Sequence, residues 1–75
     1  MDAPKLEIVR TQKDGKPAIE LVVRNATAAM RPILDALGIV PTVDIANRRS
    51  IICTTPQELD AARAPIIKFF DHQQR

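Results

Sequence analysis

The side chains that could do chemistry in this chain are few and lie far apart. The chain has one cysteine, Cys53, and one histidine, His72, so a cysteine–histidine nucleophile would require these two residues to meet. Cys53 lies in an apolar run, where a buried thiol behaves as a small hydrophobic side chain. One cysteine and one histidine also cannot supply the four ligands of a structural zinc site. We therefore expect no enzyme, no metal site and no cofactor.

The carboxylates and glycines lead to the same expectation. Glu58 and Asp60 are close in sequence, but Glu58 is expected to cap a helix and Asp60 points elsewhere on that helix. The two glycines, Gly15 and Gly38, are both explained by turns, so no glycine-rich loop remains to hold a phosphate. General acid–base catalysis has no candidate pair of residues.

The basic residues suggest a second functional class, binding to nucleic acid. Eleven Lys and Arg against nine Asp and Glu give a formal net charge of +2 and a pI of about 9.1. Four of these cations fall in the two predicted hairpin turns and would form one phosphate-binding cluster if both turns point the same way: Lys13, Lys16, Arg48 and Arg49. The chain has no Trp or Tyr, and both Phe residues lie in a predicted helix, so the sheet offers no platform for base stacking. Nucleic-acid binding is the alternative function, and solvated turn residues are the favoured interpretation.

The length of 75 residues predicts a single domain over residues 1–75, with residues 1–4 and 73–75 frayed. A chain this short buries only about 60–65% of the surface that its unfolded form exposes. Because small domains without disulfides or metals often gain stability by oligomerising, we expect a homodimer. The lone cysteine and the lack of an apolar amino-terminal run predict a cytoplasmic location without membrane attachment.

Two strands joined by a tight turn are predicted at the start of the chain. Residues 5–12 and 18–24 carry alternating apolar side chains, and Asp14-Gly15 between them is typical of a two-residue hairpin loop. This loop length sets Ile8 opposite Leu21 and Leu6 opposite Val23 on one face.

A short helix is predicted next. Asn25 or Thr27 can cap it, and Gly38 ends it. Pro32 is tolerated if it falls in the first turn, and one face carries the apolar side chains Met30, Leu34 and Leu37.

Residues 42–46 are predicted as a third strand and residues 50–54 as a fourth, joined by a turn at 47–49. With Val43 and Ile45 pointing inward, an odd-numbered loop pairs Ile45 with Ile51 and Val43 with Cys53.

The last helix begins with a capping box. The Thr55 hydroxyl is expected to accept from the Glu58 N–H, and the Glu58 carboxylate to accept from the Thr55 N–H. The buried face carries Leu59, Ala62, Ile66 and Phe69 at helical spacing. Pro65 lies inside this helix, where it costs about 3 kcal/mol or forces a bend at Ala64.

The predicted order of elements is ββαββα, and it favours an α+β fold in which a four-stranded antiparallel sheet carries both helices on one face. On the last helix, Ile67 and Phe70 lie beside Arg63 outside the predicted core, and these three residues are the favoured interface. Val9, Val22 and Ile52 project from the helix-free sheet face, which the pattern allows equally to be a second part of the interface or a solvated face. The sequence therefore predicts a small non-enzymatic protein–protein interaction module with a regulatory or assembly role, which binds itself, another protein or both.

Overall fold

The fold is built on a four-stranded sheet whose two inner strands are each paired along both edges. The computed structural model describes residues 3–73. The four antiparallel strands are β1 (Lys5–Lys13), β2 (Lys16–Arg24), β3 (Val40–Pro41) and β4 (Arg48–Cys53), in the order β1-β2-β4-β3. A 3-10 turn at Ala28–Met30 leads into α1 (Arg31–Ala36), and α2 spans Pro56–Gln73. The predicted α+β class, with a four-stranded antiparallel sheet and two helices, is confirmed.

The chain ends were predicted to fray. Met1, Asp2, Gln74 and Arg75 lie outside the described residues. Within them, Ala3 and Pro4 precede β1, and Gln73 is the last residue of α2.

The predicted hairpin is present with the predicted register. Asp14 and Gly15 have φ values of 54° and 76°, the positive values that a type I′ turn needs at both central positions. Ile8 lies opposite Leu21 and Leu6 opposite Val23, on the face toward the helices. The two-residue turn and the apolar alternation therefore select the same pairing.

The first helix is short and ends as its sequence indicates. It begins at Arg31, so Pro32 falls in its first turn, where the missing backbone donor has no helical partner to lose. At its end, the Ile39 N–H donates to the Leu34 carbonyl at 2.9 Å and Gly38 has φ +76°, the geometry of a Schellman cap.

The third strand differs from its prediction. It comprises only Val40–Pro41, set against Ser50 and Arg49, and residues 42–47 form a loop. Val43 and Ile45, predicted to point inward, are 82% and 48% exposed. Asp44 and Asn47 take positive φ values of 62° and 60°, a backbone that cannot continue a strand.

Of the two hydrogen bonds predicted for the capping box of α2, one is confirmed and the other has a different donor. The Glu58 N–H donates to the Thr55 hydroxyl at 3.1 Å. The Glu58 carboxylate, however, accepts from the backbone N–H of Thr54 at 3.0 Å rather than from that of Thr55. The helix then runs through Pro65 without interruption.

The core lies between the sheet and the two helices. It is formed by Leu21, Val23, Met30, Leu34, Ile39, Cys53, Leu59, Ala62 and Ile66. Phe69 and Phe70 are half-buried and pack against its border. Helix α2 packs mainly on β2 and β4, so the helix-side face of the edge strand β1 stays partly exposed, with Ile8 at 48%.

Candidate interaction surface

The face of the sheet that carries no helix is crossed by two ion pairs. The Arg24 Nε donates to Glu7 Oε1 at 3.0 Å, and an Arg48 guanidinium nitrogen donates to Glu20 Oε1 at 3.0 Å. Both pairs run diagonally between neighbouring strands, the first from β2 to β1 and the second from β4 to β2. Charged side chains therefore cover the middle of this face.

Val22 lies between these ion pairs and is fully buried, which corrects the prediction that it projects into solvent. The register puts Glu7 on one side of it and Ser50 on the other, with Glu20 and Arg24 two residues away along β2. The aliphatic parts of the long side chains cover the small valine. Val22 therefore has no surface to offer a partner.

The exposed apolar side chains of this face lie around the ion pairs. Val9 and Ile52, each 39% exposed, stand on either side of Glu20 in one row across the sheet. Val40, 57% exposed, extends the same face at the short strand β3. Val9 and Ile52 thus lie where the sequence placed them, and their contact with a partner stays a prediction.

The flank of α2 offers less apolar surface than expected. Ile67 is 39% exposed, as predicted for a residue outside the core. Phe70 is half-buried against the core, because it follows Leu59 by eleven residues, slightly more than three helical turns, and so returns to the same face. Arg63 is partly buried, and its Nε atom is buried without a hydrogen-bond partner in the described part of the chain.

The four predicted phosphate-binding cations do not form one cluster. Lys13 and Lys16 flank the hairpin turn at one end of the sheet. Arg48 pairs with Arg24 at the other end of β2, about eight residues or roughly 27 Å away. The common end assumed from the sequence is wrong, because β4 pairs with β2 and the β3–β4 loop lies at the end opposite the hairpin turn.

The two arginines are moreover strand residues that serve the fold. Arg48 donates to Thr42 Oγ1 at 2.7 Å as well as to Glu20, and its side chain is only 13% exposed. Arg49, on the opposite face of β4, donates to Asp35 Oδ1 at 2.8 Å and to the Ile39 carbonyl at 3.2 Å. Both guanidinium groups hold loops and helix α1 to the sheet.

The nucleophile candidates lie at opposite ends of α2. Cys53 precedes the helix beside a cavity of about 330 Å³, and His72 is in the last turn, roughly 24 Å farther along the axis. Burial, together with the nearby Glu58 carboxylate, raises the pKa of the Cys53 thiol, so the thiol stays protonated at neutral pH. A protonated thiol without a neighbouring histidine is a poor nucleophile.

Two further features concern ligands and membranes. Within residues 3–73, no three or more His, Cys, Asp or Glu side chains are grouped so that they could hold a metal ion. Neither of the helices described here has the length and apolar character that crossing a bilayer requires.

Some exposed residues were missed by the sequence interpretation. Ile8 was assigned to the inner face, which is correct, but its exposure follows from β1 being an uncovered edge strand. Strand order is not encoded in local alternation, so the edge position of β1 could not be predicted. The positive-φ residues Asp44 and Asn47 could have shown that the adjacent Val43 and Ile45 lie in a loop, since Asp and Asn favour this backbone.

Comparison with known proteins provides no relative for this chain: no protein-family model, no curated protein and no solved structure matches it.

Proposed function

We propose that this protein is a small non-enzymatic interaction module that acts as a homodimer in a regulatory or assembly role. The observation that carries the proposal is the set of large aliphatic side chains at least 39% exposed among the described residues: Ile8, Val9, Val40, Val43, Ile45, Ile52 and Ile67. Single exposed aliphatic residues are ordinary, but Val9, Val40 and Ile52 share one face of the sheet, and apolar residues grouped on one surface are typical of an interaction site. Burying some of them against a second copy would add the stability that a short chain lacks.

The distribution of these residues favours the sheet as the interaction surface. Four of the seven belong to strands, two to the loop that joins β3 and β4, and only Ile67 to α2. The flank of α2 therefore supplies one exposed aliphatic side chain, with Phe70 already packed against the core. A location in the cytoplasm is part of the proposal, supported by a buried free cysteine that suits a reducing compartment.

Sedimentation with and without nucleic acid tests the proposed function against its alternative. At micromolar concentration and about 0.15 M salt, we expect twice the chain mass of 8.3 kDa. Added duplex DNA or single-stranded RNA should leave this value unchanged. As a matched control, Ile67→Lys should sediment at the same mass as the wild type, because Ile67 lies on α2 and the proposed interaction surface is the sheet.

Two results would contradict the proposal. The first is a monomer at high micromolar concentration. The second is a complex with nucleic acid that is lost when Lys13 and Lys16 are replaced with Gln, which would promote the hairpin turn as a phosphate-binding site.

A further inference from the structure

β1 is a long edge strand that pairs with β2 on one side and with no other strand among residues 3–73 on the other. The Asn25 N–H donates to the Asn47 carbonyl at 2.9 Å, which shows that the odd-numbered residues of β2 bond toward β4. The even-numbered residues of β2 therefore bond toward β1, where their partners are the odd-numbered residues. It follows that the N–H and C=O groups of Leu6, Ile8, Arg10 and Gln12 point away from the sheet.

This edge has few of the features that usually protect an edge strand. Proteins block such edges with prolines, bulges, inward-pointing charges or a covering element. β1 pairs with β2 in an unbroken register over all nine residues, it contains no proline, and its lysines stand only at its two ends. Arg10 is its one charged residue on the helix-side face. Its exposed centre carries Ile8 on one face and Val9 on the other.

We propose that β1 pairs antiparallel with β1 of a second copy, about a two-fold axis at Ile8. The result is one eight-stranded sheet with the four helices on one face. The proposal rests on the homodimer proposed above and names its interface.

Repulsion between like charges selects the axis. In an antiparallel pair about a two-fold axis, the residue on the axis faces its own copy. An axis at Glu7 or Arg10 would set like charges directly opposite, which destabilises a sheet. Only Ile8 and Val9 remain near the centre of the strand.

The two remaining registers differ in their flanking pairs. An axis at Val9 would set Lys5 opposite the partner's Lys13 at both ends, and Ile8 opposite the partner's Arg10. An axis at Ile8 sets Lys5 opposite the partner's Thr11, Leu6 opposite the partner's Arg10 and Glu7 opposite the partner's Val9, so that no like charges face each other. It also joins the apolar row Ile8–Leu21–Ile51 of one copy to the same row of the other.

The proposed contact between the two β1 strands accounts for the exposure of Ile8. Ile8 belongs to the helix-side face of the sheet and yet is 48% exposed, because nothing described lies beyond β1. In the proposed dimer it packs against its own copy. The outward backbone groups of Leu6, Ile8 and Arg10 gain hydrogen-bond partners at the same time.

Charge substitution at Ile8 tests both the edge and the register. Ile8→Lys and Ile8→Glu each place two like charges across the axis, so each variant alone should raise the dimer dissociation constant by about tenfold or more, equivalent to about 1.4 kcal/mol. Mixed in equal amounts, the two variants should form a heterodimer, because Lys then faces Glu. Ile45 has the same 48% exposure in the loop at residues 42–47, so Ile45→Lys is a matched control that should sediment as wild type.

The outcomes of this experiment distinguish the edge interface, the axis at Ile8 and the homodimer from one another. If the wild-type chain is a dimer and both Ile8 variants dimerise equally well, the edge interface is wrong and the homodimer proposal survives. If both variants weaken the dimer but mixing restores nothing, or if Ile45→Lys weakens it as much, the axis at Ile8 is wrong. A monomeric wild type overturns the homodimer itself. Should a charged variant unfold, Ile8→Thr keeps strand propensity and should still weaken the dimer, though less.

Discussion

At the scale of single residues, the helix start is the feature that the sequence describes most completely. Thr55 as N-cap and Glu58 three residues later identify the first turn of α2, and the hydrogen bond from the Glu58 N–H to the Thr55 hydroxyl is 3.1 Å long. The second bond of the box was assigned one residue too late, since the Glu58 carboxylate reaches Thr54. A carboxylate can accept from either of two adjacent N–H groups, and only the local backbone decides between them.

Replacing the cap should lower stability by a defined amount. Thr55→Ala leaves a helix-start N–H without its partner, so we expect a loss of about 1 kcal/mol in the free energy of unfolding. For a domain of this size, that corresponds to a melting temperature lower by about 4–8 °C. Thermal unfolding at one fixed protein concentration measures it, because self-association makes the midpoint depend on concentration. Thr55→Ser keeps a hydroxyl and should unfold near the wild-type midpoint; an equal loss in both variants would show that the hydroxyl is not the stabilising group.

At the scale of elements, the two ion pairs on the helix-free face differ in burial. The side chains of Arg48 and Glu20 are 13% and 21% exposed, whereas those of Arg24 and Glu7 are 42% and 39% exposed. Arg48 also bonds Thr42 and so fixes the start of the loop at residues 42–47 to β4. The more buried pair should therefore contribute more to stability.

A matched pair of substitutions tests this difference. Arg48→Gln leaves Glu20 half-buried without its cation and releases Thr42, so we expect a loss of about 2 kcal/mol. Arg24→Gln breaks an exposed pair and should cost less than about 1 kcal/mol. Denaturant unfolding of both variants gives the two values, and equal losses would contradict the role assigned to Arg48.

The elements also show where sequence interpretation reaches its limit. The hairpin could be predicted residue by residue, because the Asp14-Gly15 turn and the apolar alternation are local and agree. The short strand at Val40–Pro41 could not be predicted, because Val43 and Ile45 alternate with polar residues as in a strand although they lie in a loop. The assignment of Arg48 and Arg49 to a turn failed for the same reason, since a turn at 47–49 depended on that false strand. Their separation from Lys13 and Lys16 has another cause, the pairing of β4 with β2.

At the scale of the whole molecule, the fold class followed from the order of elements, but the strand order did not. Alternation along a strand shows which face is apolar and says nothing about which strand is its neighbour. The order β1-β2-β4-β3 leaves β1 at an edge, and that placement turns Ile8 from a core residue into a half-exposed one. The buried state of Val22 likewise depends on ion pairs between strands that only the register brings together.

Amide hydrogen exchange along β1, measured at several protein concentrations, most directly tests the proposed homodimer paired through β1. The amides of Glu7 and Val9 bond to β2 within one copy, so they should be protected at every concentration. The amides of Leu6, Ile8 and Arg10 point to the free edge, so they should exchange fast in dilute solution and become protected as the dimer forms. Exchange of Leu6, Ile8 and Arg10 that stays fast at concentrations where the protein sediments at twice 8.3 kDa would contradict pairing through β1.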